Sequence, residues 1–279
     1  MAVRAAEARA TPAPIRVPAL ASTAVREILT GGSSPGIVLG MSTHASWLLV
    51  GSDVIVVTTR DATRLPNGIE LPMDASSRIL QDVHHAAPVI VDSGRIVFDG
   101  LVVEAARWWD PKPAIGRLHP AALAAAIEGL PATVPYVDEQ PLRAALVERS
   151  SDALVSAGEV LIGRGPGLTP ESDDYLAGVV AATRIFGEAI ENEAATAMLD
   201  AASGPLEGTA STRTTALSAA LLRCALRGNV AEPASRLIRA LAGRGSITDG
   251  HKALRRVGDT SGPALAAGVV LGVRALVAQ

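Results

Sequence analysis

The segment Pro88-Val-Ile-Val-Asp-Ser-Gly-Arg-Ile-Val-Phe98 indicates the type of fold in the first half of the chain. Two apolar runs rich in β-branched residues flank an Asp-Ser-Gly turn, which is the pattern of a β-hairpin. No helical segment long enough to be a crossover lies between these runs and their neighbours, so we predict a mainly antiparallel sheet or a small β-barrel. The other apolar strand segments are Ile37–Leu39, Trp47–Val50, Val54–Val57 and Leu101–Val103.

From His119 onward the pattern changes to helical segments, some of which end at glycine or asparagine. Strands followed by helices predict an α+β fold. We predict a flexible arm over residues 1–20, a β-rich domain over 21–115, and an Ala/Gly-rich helical domain over 116–279 that carries the functional site. The predicted helices are Pro120–Leu130, Glu139–Ala157, Pro170–Phe186, Asn192–Ala202, Thr215–Arg227, Pro233–Ala242, Asp249–Arg256 and Pro263–Val277.

The composition narrows the classes of function. The 279 residues carry a net charge of −3 without a run of Lys or Arg, which argues against nucleic-acid binding. One cysteine, Cys224, excludes an internal disulfide and a cysteine-rich zinc site. The N-terminal residues lack the apolar core of a secretory signal, and the apolar segment 262–278 is interrupted by Arg274. We therefore expect a cytoplasmic protein that does not bind membranes.

The most informative segment for function is Gly163-Arg-Gly-Pro-Gly-Leu-Thr-Pro-Glu-Ser-Asp-Asp-Tyr-Leu-Ala-Gly178. Three closely spaced glycines favour a tight loop whose backbone can approach a ligand. Thr169 stands where a helix N-cap is expected and Pro170 where the first helical residue is expected. A glycine loop that leads into a helix N-terminus is suited to binding an anion, and Arg164 could clamp phosphate or carboxylate. We predict that Arg164, Gly165, Gly167 and Thr169 bind substrate.

Asp173 and Asp174 lie in the first turn of the predicted helix, where they would repel a bare anion. They are compatible with a ligand that also carries a cation or N–H donors, such as a metal-bound phosphate or a ureido group. We predict catalytic roles for both, and a divalent metal such as Mg²⁺ could bind there. The alternative is that they only complement the helix dipole, which contributes about 0.3–1 kcal/mol each.

Two further segments combine hydroxyl groups with the start of a helix. The first is Ser211-Thr-Arg-Thr-Thr215, and the second contains Thr260, Ser261 and Gly262. Hydroxyl groups beside an arginine can bind oxyanions or ureide carbonyls, but one of them could equally be an N-cap and the others solvated. The predicted substrate-binding residues in these segments are Ser211, Thr212, Thr214, Thr260, Ser261 and Gly262.

The chain contains one internal similarity. Ala177–Arg184 and Ala267–Arg274 are identical at five of eight positions, and each follows a loop that contains Pro and Gly. This identity is explained either by chance, because the chain is rich in Ala, Gly and Val, or by a true internal repeat. A true repeat predicts that the two helices pack together near Gly178 and Gly268. The loops at 163–169, 211–215 and 260–262 each present unpaired N–H groups just before a helix, so we also predict that they converge on one cleft.

The segment 163–178 resembles the signature Gly-x-Gly-x-Gly-Leu-Thr-Pro-Ser-Gly-Asp-Asp of a bacterial family associated with the AllH subunit of oxamate carbamoyltransferase. Residues 260–262, 212–218 and 66–68 are similar to other recurring segments of that family. The resemblance implies a role in ureide and purine-nitrogen catabolism. It also implies a complex of several subunits that converts oxalurate and phosphate into oxamate and carbamoyl phosphate.

The sequence departs from the family pattern at four positions. Glu171 and Ser172 replace the Ser-Gly of the signature, and Asp259 replaces a His. Ala264 replaces an acid before the second of the two similar segments, whereas the corresponding acid before the first segment, Asp174, is kept. Three hypotheses therefore remain open. The chain is a carbamoyltransferase or one of its subunits, a non-catalytic anion-binding or assembly subunit, or a metal-dependent hydrolase that uses the two aspartates.

Overall fold

The computed structural model describes residues 13–131 and 137–278, and the first of these ranges contains a closed β-barrel. Around the barrel the eight strands of the described chain follow the order β1-β5-β4-β3-β2-β6-β7-β8. The pairs β1–β8 and β4–β5 are parallel and the other pairs are antiparallel. The strands are β1 Ile15–Ser22, β2 Ser34–Met41, β3 Ala45–Val50, β4 Asp53–Thr58, β5 Gly68–Glu70, β6 Pro88–Asp92, β7 Arg95–Phe98 and β8 Leu101–Trp109.

The small barrel and six of these strands were predicted from the sequence, whereas β1 and β5 were not. β1 lies within the segment predicted as a flexible arm, and the prediction is wrong from Ile15 onward. Its buried residues alternate with outward ones, and Pro18 is exposed. β1 pairs along its length with β8 and also with β5, and these two pairings close the barrel. The rest of the predicted arm, residues 1–12, lies outside the described residues.

The helical part follows the barrel and is built around two long helices, α5 and α10. Two predicted boundaries are corrected. The predicted helix 139–157 is divided at Arg149, whose φ of 56° ends α3, and Ser150 caps α4. The helix predicted to end at Ala202 continues through Pro205 to Arg213. The helices are α1 Arg26–Thr30, α2 Pro120–Ala126, α3 Gln140–Glu148, α4 Ser151–Leu161, α5 Glu171–Ala189, α6 Glu193–Arg213, α7 Ala216–Leu226, α8 Glu232–Leu241, α9 Ile247–Leu254 and α10 Ser261–Val277.

α5 and α10 cross with their backbones in contact at Gly178 and Gly268. A Cβ atom on Gly178 would lie 2.3 Å from the Leu265 carbonyl oxygen, and one on Gly268 would lie 2.1 Å from the Tyr175 carbonyl oxygen. Leu265 lies three residues before Gly268 on α10, and Tyr175 lies three residues before Gly178 on α5. The two glycine–carbonyl contacts are therefore equivalent. The predicted packing at Gly178 and Gly268 is confirmed, and the two segments are related by a local pseudo-twofold.

The helical part joins the barrel through α7. Leu217 and Ala220 pack against Val54 and Val56 on β4. Next to this apolar contact, Arg223 forms an ion pair with the carboxylate of Asp53. Across the described ranges, no helix has the length and apolar character needed to cross a bilayer.

Candidate functional site at the glycine loop

The loop between α4 and α5 depends on its glycines. Gly163, Gly165 and Gly167 have φ angles of 83°, 116° and 97°, a region that side chains disfavour. At Gly163 a Cβ atom would also lie 2.0 Å from the Arg213 carbonyl oxygen, so the loop packs against the end of α6. The tip of the loop is exposed, and the amides of Gly165 and Gly167 donate no hydrogen bond within residues 13–131 and 137–278.

The carboxylate of Asp173 ties this loop to the start of α7. One oxygen accepts a hydrogen bond from the Gly163 amide at 2.7 Å, and the other accepts one from the Ser218 hydroxyl at 2.7 Å and one from the Thr214 hydroxyl. The side chain is buried, with 2% of the residue exposed. Both oxygens are occupied by the protein itself, so the geometry gives Asp173 an anchoring position.

The first turn of α5 is closed to an anion by its own contacts. The helix begins at Glu171 with Pro170 as its N-cap, so the prediction that Thr169 is the N-cap is wrong. The Asp173 and Asp174 amides both donate to the Pro170 carbonyl, at 3.0 and 3.2 Å, and three acids lie in this turn. An anion therefore has access to the exposed loop rather than to the helix end.

Ser172, which stands where the family signature has glycine, fastens the loop to α5. Its hydroxyl lies 2.7 Å from the Leu161 carbonyl oxygen and 2.6 Å from the Arg164 carbonyl oxygen. These contacts hold the backbone at Arg164 in place. Ser172 therefore forms side-chain hydrogen bonds that the glycine of the signature could not form.

Asp174 has a different environment from its neighbour. It is buried, with 9% of the residue exposed, and within the described chain its Oδ2 atom has no hydrogen-bond partner. Burial raises the pKa of the Asp174 carboxyl to about 7, although hydrogen bonds with Ser261 and Thr169 act in the opposite direction. The nearby charges of Asp173 and Glu171 add to the increase. Asp174 can therefore take up or release a proton near neutral pH.

The three predicted loops do converge. The hydroxyl oxygens of Thr169 and Ser261 lie 2.9 Å apart, and the Thr215 hydroxyl donates to the Leu168 carbonyl at 2.6 Å. Together with the Asp173–Thr214 contact, these bonds join the glycine loop to the starts of α7 and α10. The prediction that the three loops meet is confirmed for these residues, and their forming one ligand-binding cleft stays a prediction.

Three of the predicted binding residues are not part of this convergence. Ser211 and Thr212 belong to the exposed last turn of α6, where their hydroxyls donate to the carbonyls of Gly208 and Thr209. Gly262 is buried, and its amide donates to the Val257 carbonyl at 2.8 Å. A Cβ atom on Gly262 would lie 2.0 Å from the Leu254 carbonyl oxygen, so this glycine allows α10 to start close to α9.

A groove of about 940 Å³ opens beside the loop, between α3, α4 and the start of α5. Arg164, Gly165, Glu171 and Thr260 lie at its polar end. The Arg164 side chain is exposed, and within the described ranges it forms no hydrogen bond or ion pair. The guanidinium is therefore available to a ligand.

The apolar walls of the groove were not anticipated. Leu142, Ala145, Ala157 and Val160 contribute to them. Apolar residues on a helix are usually core residues, and the sequence offers no feature that separates these from the others. Only Val160, 53% exposed, departs from that expectation in the structure.

A metal at Asp173 and Asp174 does not fit the donor set. Within residues 13–131 and 137–278, no group of three or more His, Cys, Asp or Glu side chains could hold a metal ion. The oxygens of Asp173 already accept three hydrogen bonds from the protein. The geometry gives the predicted Mg²⁺ site and the metal-dependent hydrolase no support.

Residues 161–273 match the family model described as oxamate carbamoyltransferase subunit AllH. This segment contains the glycine loop, α5 to α9 and most of α10, and the match confirms the resemblance to the AllH family over that range. The comparisons with curated proteins and with solved structures gave no match. Pro66–Gly68, the remaining segment of the resemblance, lies outside the match, at the start of β5 in the barrel.

Proposed function

We propose that this chain is a cytoplasmic carbamoyltransferase subunit in ureide and purine-nitrogen catabolism, and that it acts on oxalurate and phosphate to give oxamate and carbamoyl phosphate. The observation that carries this proposal is the buried Asp174 carboxyl beside an exposed glycine loop, within the segment that matches AllH. The other subunits of the complex would be its protein partners.

Phosphate binding is assigned to the polar end of the groove. The Arg164 guanidinium can form a bidentate pair with a phosphate, and the amides of Gly165 and Gly167 supply further donors. Catalysis of carbamoyl transfer then depends mainly on holding the two substrates in line and stabilising the phosphate charge. In this proposal the exposed loop contributes to both.

The proton chemistry is assigned to Asp174. A carboxyl whose pKa is about 7 can exist in both protonation states at physiological pH, as a general acid–base group requires. The Oδ2 atom could also accept a hydrogen bond from a carbamoyl N–H. Asp173 is assigned a positioning role, because its oxygens hold the loop and α7 together.

A second candidate function is supported by the exposed apolar residues at the site. Val160 is 53% exposed and Leu168 is 57% exposed, and the groove is large compared with a small ureide acid. A contiguous exposed apolar surface is common where another protein binds, and the apolar groove walls would form one together with these residues. The chain could therefore complete the active site of a partner subunit rather than catalyse the reaction alone.

The test is calorimetry with phosphate and with carbamoyl phosphate. Arg164→Ala should weaken anion binding at least tenfold, since a charge-assisted hydrogen bond contributes about 1.5–3 kcal/mol. Arg107→Ala, an exposed arginine on β8, is the control and should bind as the unmodified chain does. Equal affinity in the folded Arg164→Ala variant would contradict the assignment.

Turnover measurements separate the two functions. The first predicts that the purified chain itself has measurable turnover of oxalurate and phosphate, which the partner subunits increase. The second predicts that activity appears only after the partner subunits are added. No activity in the complete mixture would exclude the carbamoyltransferase proposal.

A further inference from the structure

The hydroxyl of Ser261 lies where a nucleophile of the site would be expected. Ser261 is the first residue of α10, and its oxygen is 2.9 Å from the Thr169 hydroxyl. The Ser261 hydroxyl also stabilises the ionised form of the Asp174 carboxyl, so a proton acceptor lies near it. The residue before it, Thr260, lines the groove that contains Arg164. A half-buried hydroxyl near a buried carboxyl, on the residue that follows a groove-lining residue, is a candidate for an activated nucleophile.

The two hydroxyls at this point are not equivalent. Thr169 precedes α5, whose N-terminal dipole is already complemented by Glu171, Asp173 and Asp174 in the first turn. The first turn of α10 contains no acid, so the N-terminal dipole of this 17-residue helix favours negative charge on the Ser261 oxygen. Ser261 is also a primary alcohol and is less hindered than Thr169.

A second observation indicates that the site is built for a ligand. The Oδ2 atom of Asp174 is buried, yet it has no hydrogen-bond partner in the described chain. A buried polar atom of this kind costs free energy unless something else uses it. A base that must accept a proton during a reaction needs such a free position.

We propose that Ser261 is a catalytic nucleophile that carries the carbamoyl group as a covalent carbamoyl-serine, with Asp174 as its general base; this rests on the proposed function. The Ser261 oxygen attacks the carbamoyl carbon of oxalurate while its proton passes to Asp174. The bond from that carbon to the amide nitrogen breaks, the nitrogen takes the proton from Asp174, and oxamate leaves.

The second half of the reaction regenerates the serine. A phosphate oxygen attacks the carbamoyl carbon, the bond from that carbon to the Ser261 oxygen breaks, and carbamoyl phosphate forms. The proton of hydrogen phosphate passes through Asp174 to the departing Ser261 oxygen. Neither half requires an oxidant, a reductant or a further reactant.

A covalent intermediate predicts a partial reaction that needs no oxamate. The full-length chain, together with the subunits of its complex, is incubated with carbamoyl phosphate and ³²P-labelled phosphate. Label should enter carbamoyl phosphate, and acid-quenched mass spectrometry should find one carbamoyl group on the peptide that contains Ser261. Ser261→Ala should lower the exchange rate at least 100-fold and abolish the adduct. Ser34→Ala, a control on β2 in the barrel, should retain both.

Oxalurate formation from oxamate and carbamoyl phosphate is measured in the same samples. Oxalurate formation without exchange or adduct would overturn the Ser261 proposal and leave the proposed function intact. The same conclusion would follow if Ser261→Ala, shown to be folded by circular dichroism, kept its rate. Absence of oxalurate formation in the complete complex would overturn the proposed function and this inference with it.

Discussion

Replacing Asp174 with Asn should remove a loss of stability that the unmodified protein undergoes as the pH rises toward 7. The unfolded carboxyl ionises near its ordinary pKa of 3.8, whereas burial raises the pKa of the folded carboxyl to about 7. Well below pH 3.8 the group is protonated in both states and has no effect. As the pH rises toward 7, only the unfolded chain gains by ionising, so the free energy of unfolding falls. Above pH 7 both states are ionised and the loss is constant.

The size of the effect follows from the two pKa values. A tenfold change in proton affinity corresponds to about 1.4 kcal/mol, so the increase from 3.8 to about 7 corresponds to a penalty of about 4 kcal/mol. Asn cannot ionise and does not incur this penalty. The free energy of unfolding of Asp174→Asn minus that of the unmodified chain should therefore increase by about 4 kcal/mol between pH 4 and pH 8.

Urea unfolding at intervals between pH 4 and pH 8 measures this difference. The packing and hydrogen bonding of the amide do not vary with pH, so they add a constant offset that cancels from the slope. Asp174→Ser, which packs differently but also cannot ionise, should give the same slope. A difference that stays flat within about 1 kcal/mol for both variants would refute the argument that burial holds this carboxyl protonated.

Three further predictions concern packing and exposure. Asp173→Ala should destabilise the fold by at least about 3 kcal/mol in urea unfolding, because the Gly163 amide and the Ser218 hydroxyl lose a charged acceptor. A loss below about 1 kcal/mol would contradict the anchoring position of Asp173. Gly178→Ala should lower the melting temperature, because its Cβ atom would meet a carbonyl of α10. Gly208→Ala, which has open space on α6, should raise the stability by up to about 1 kcal/mol, and equal effects of the two changes would contradict the close crossing. Cys224, whose pKa is raised to about 12 by burial, should resist a thiol reagent at pH 8 in the folded protein and react in urea; fast reaction without urea would show that the thiol is accessible.

Much of the local structure was predictable from the sequence. The hairpin at 88–98 and the other strands found in advance have apolar runs bounded by turn residues, and these preferences act within a few residues. The glycine loop before α5 was predictable for the same reason, because closely spaced glycines favour left-handed backbone angles. β1 was missed because its pattern is weak, and its pairing with β8 and β5 makes it a strand.

The site itself was only partly predictable. The segments that form it could be named, but the residues that meet could not. Thr169 and Ser261 are 92 positions apart, and nothing local distinguishes Thr214, which reaches Asp173, from Ser211, which faces solvent. The roles of these hydroxyls depend on how α5, α7 and α10 pack together.

The sequence by itself determined most of the strands and helices, the glycine loop and the two adjacent acids. Only the tertiary structure decided that Asp173 is satisfied by hydrogen bonds while Asp174 is left with a free oxygen and a pKa of about 7. The physical reason is that hydrogen bonding and desolvation depend on every segment that surrounds a group. Neighbours in the chain can therefore have opposite environments, as they do at the start of α5.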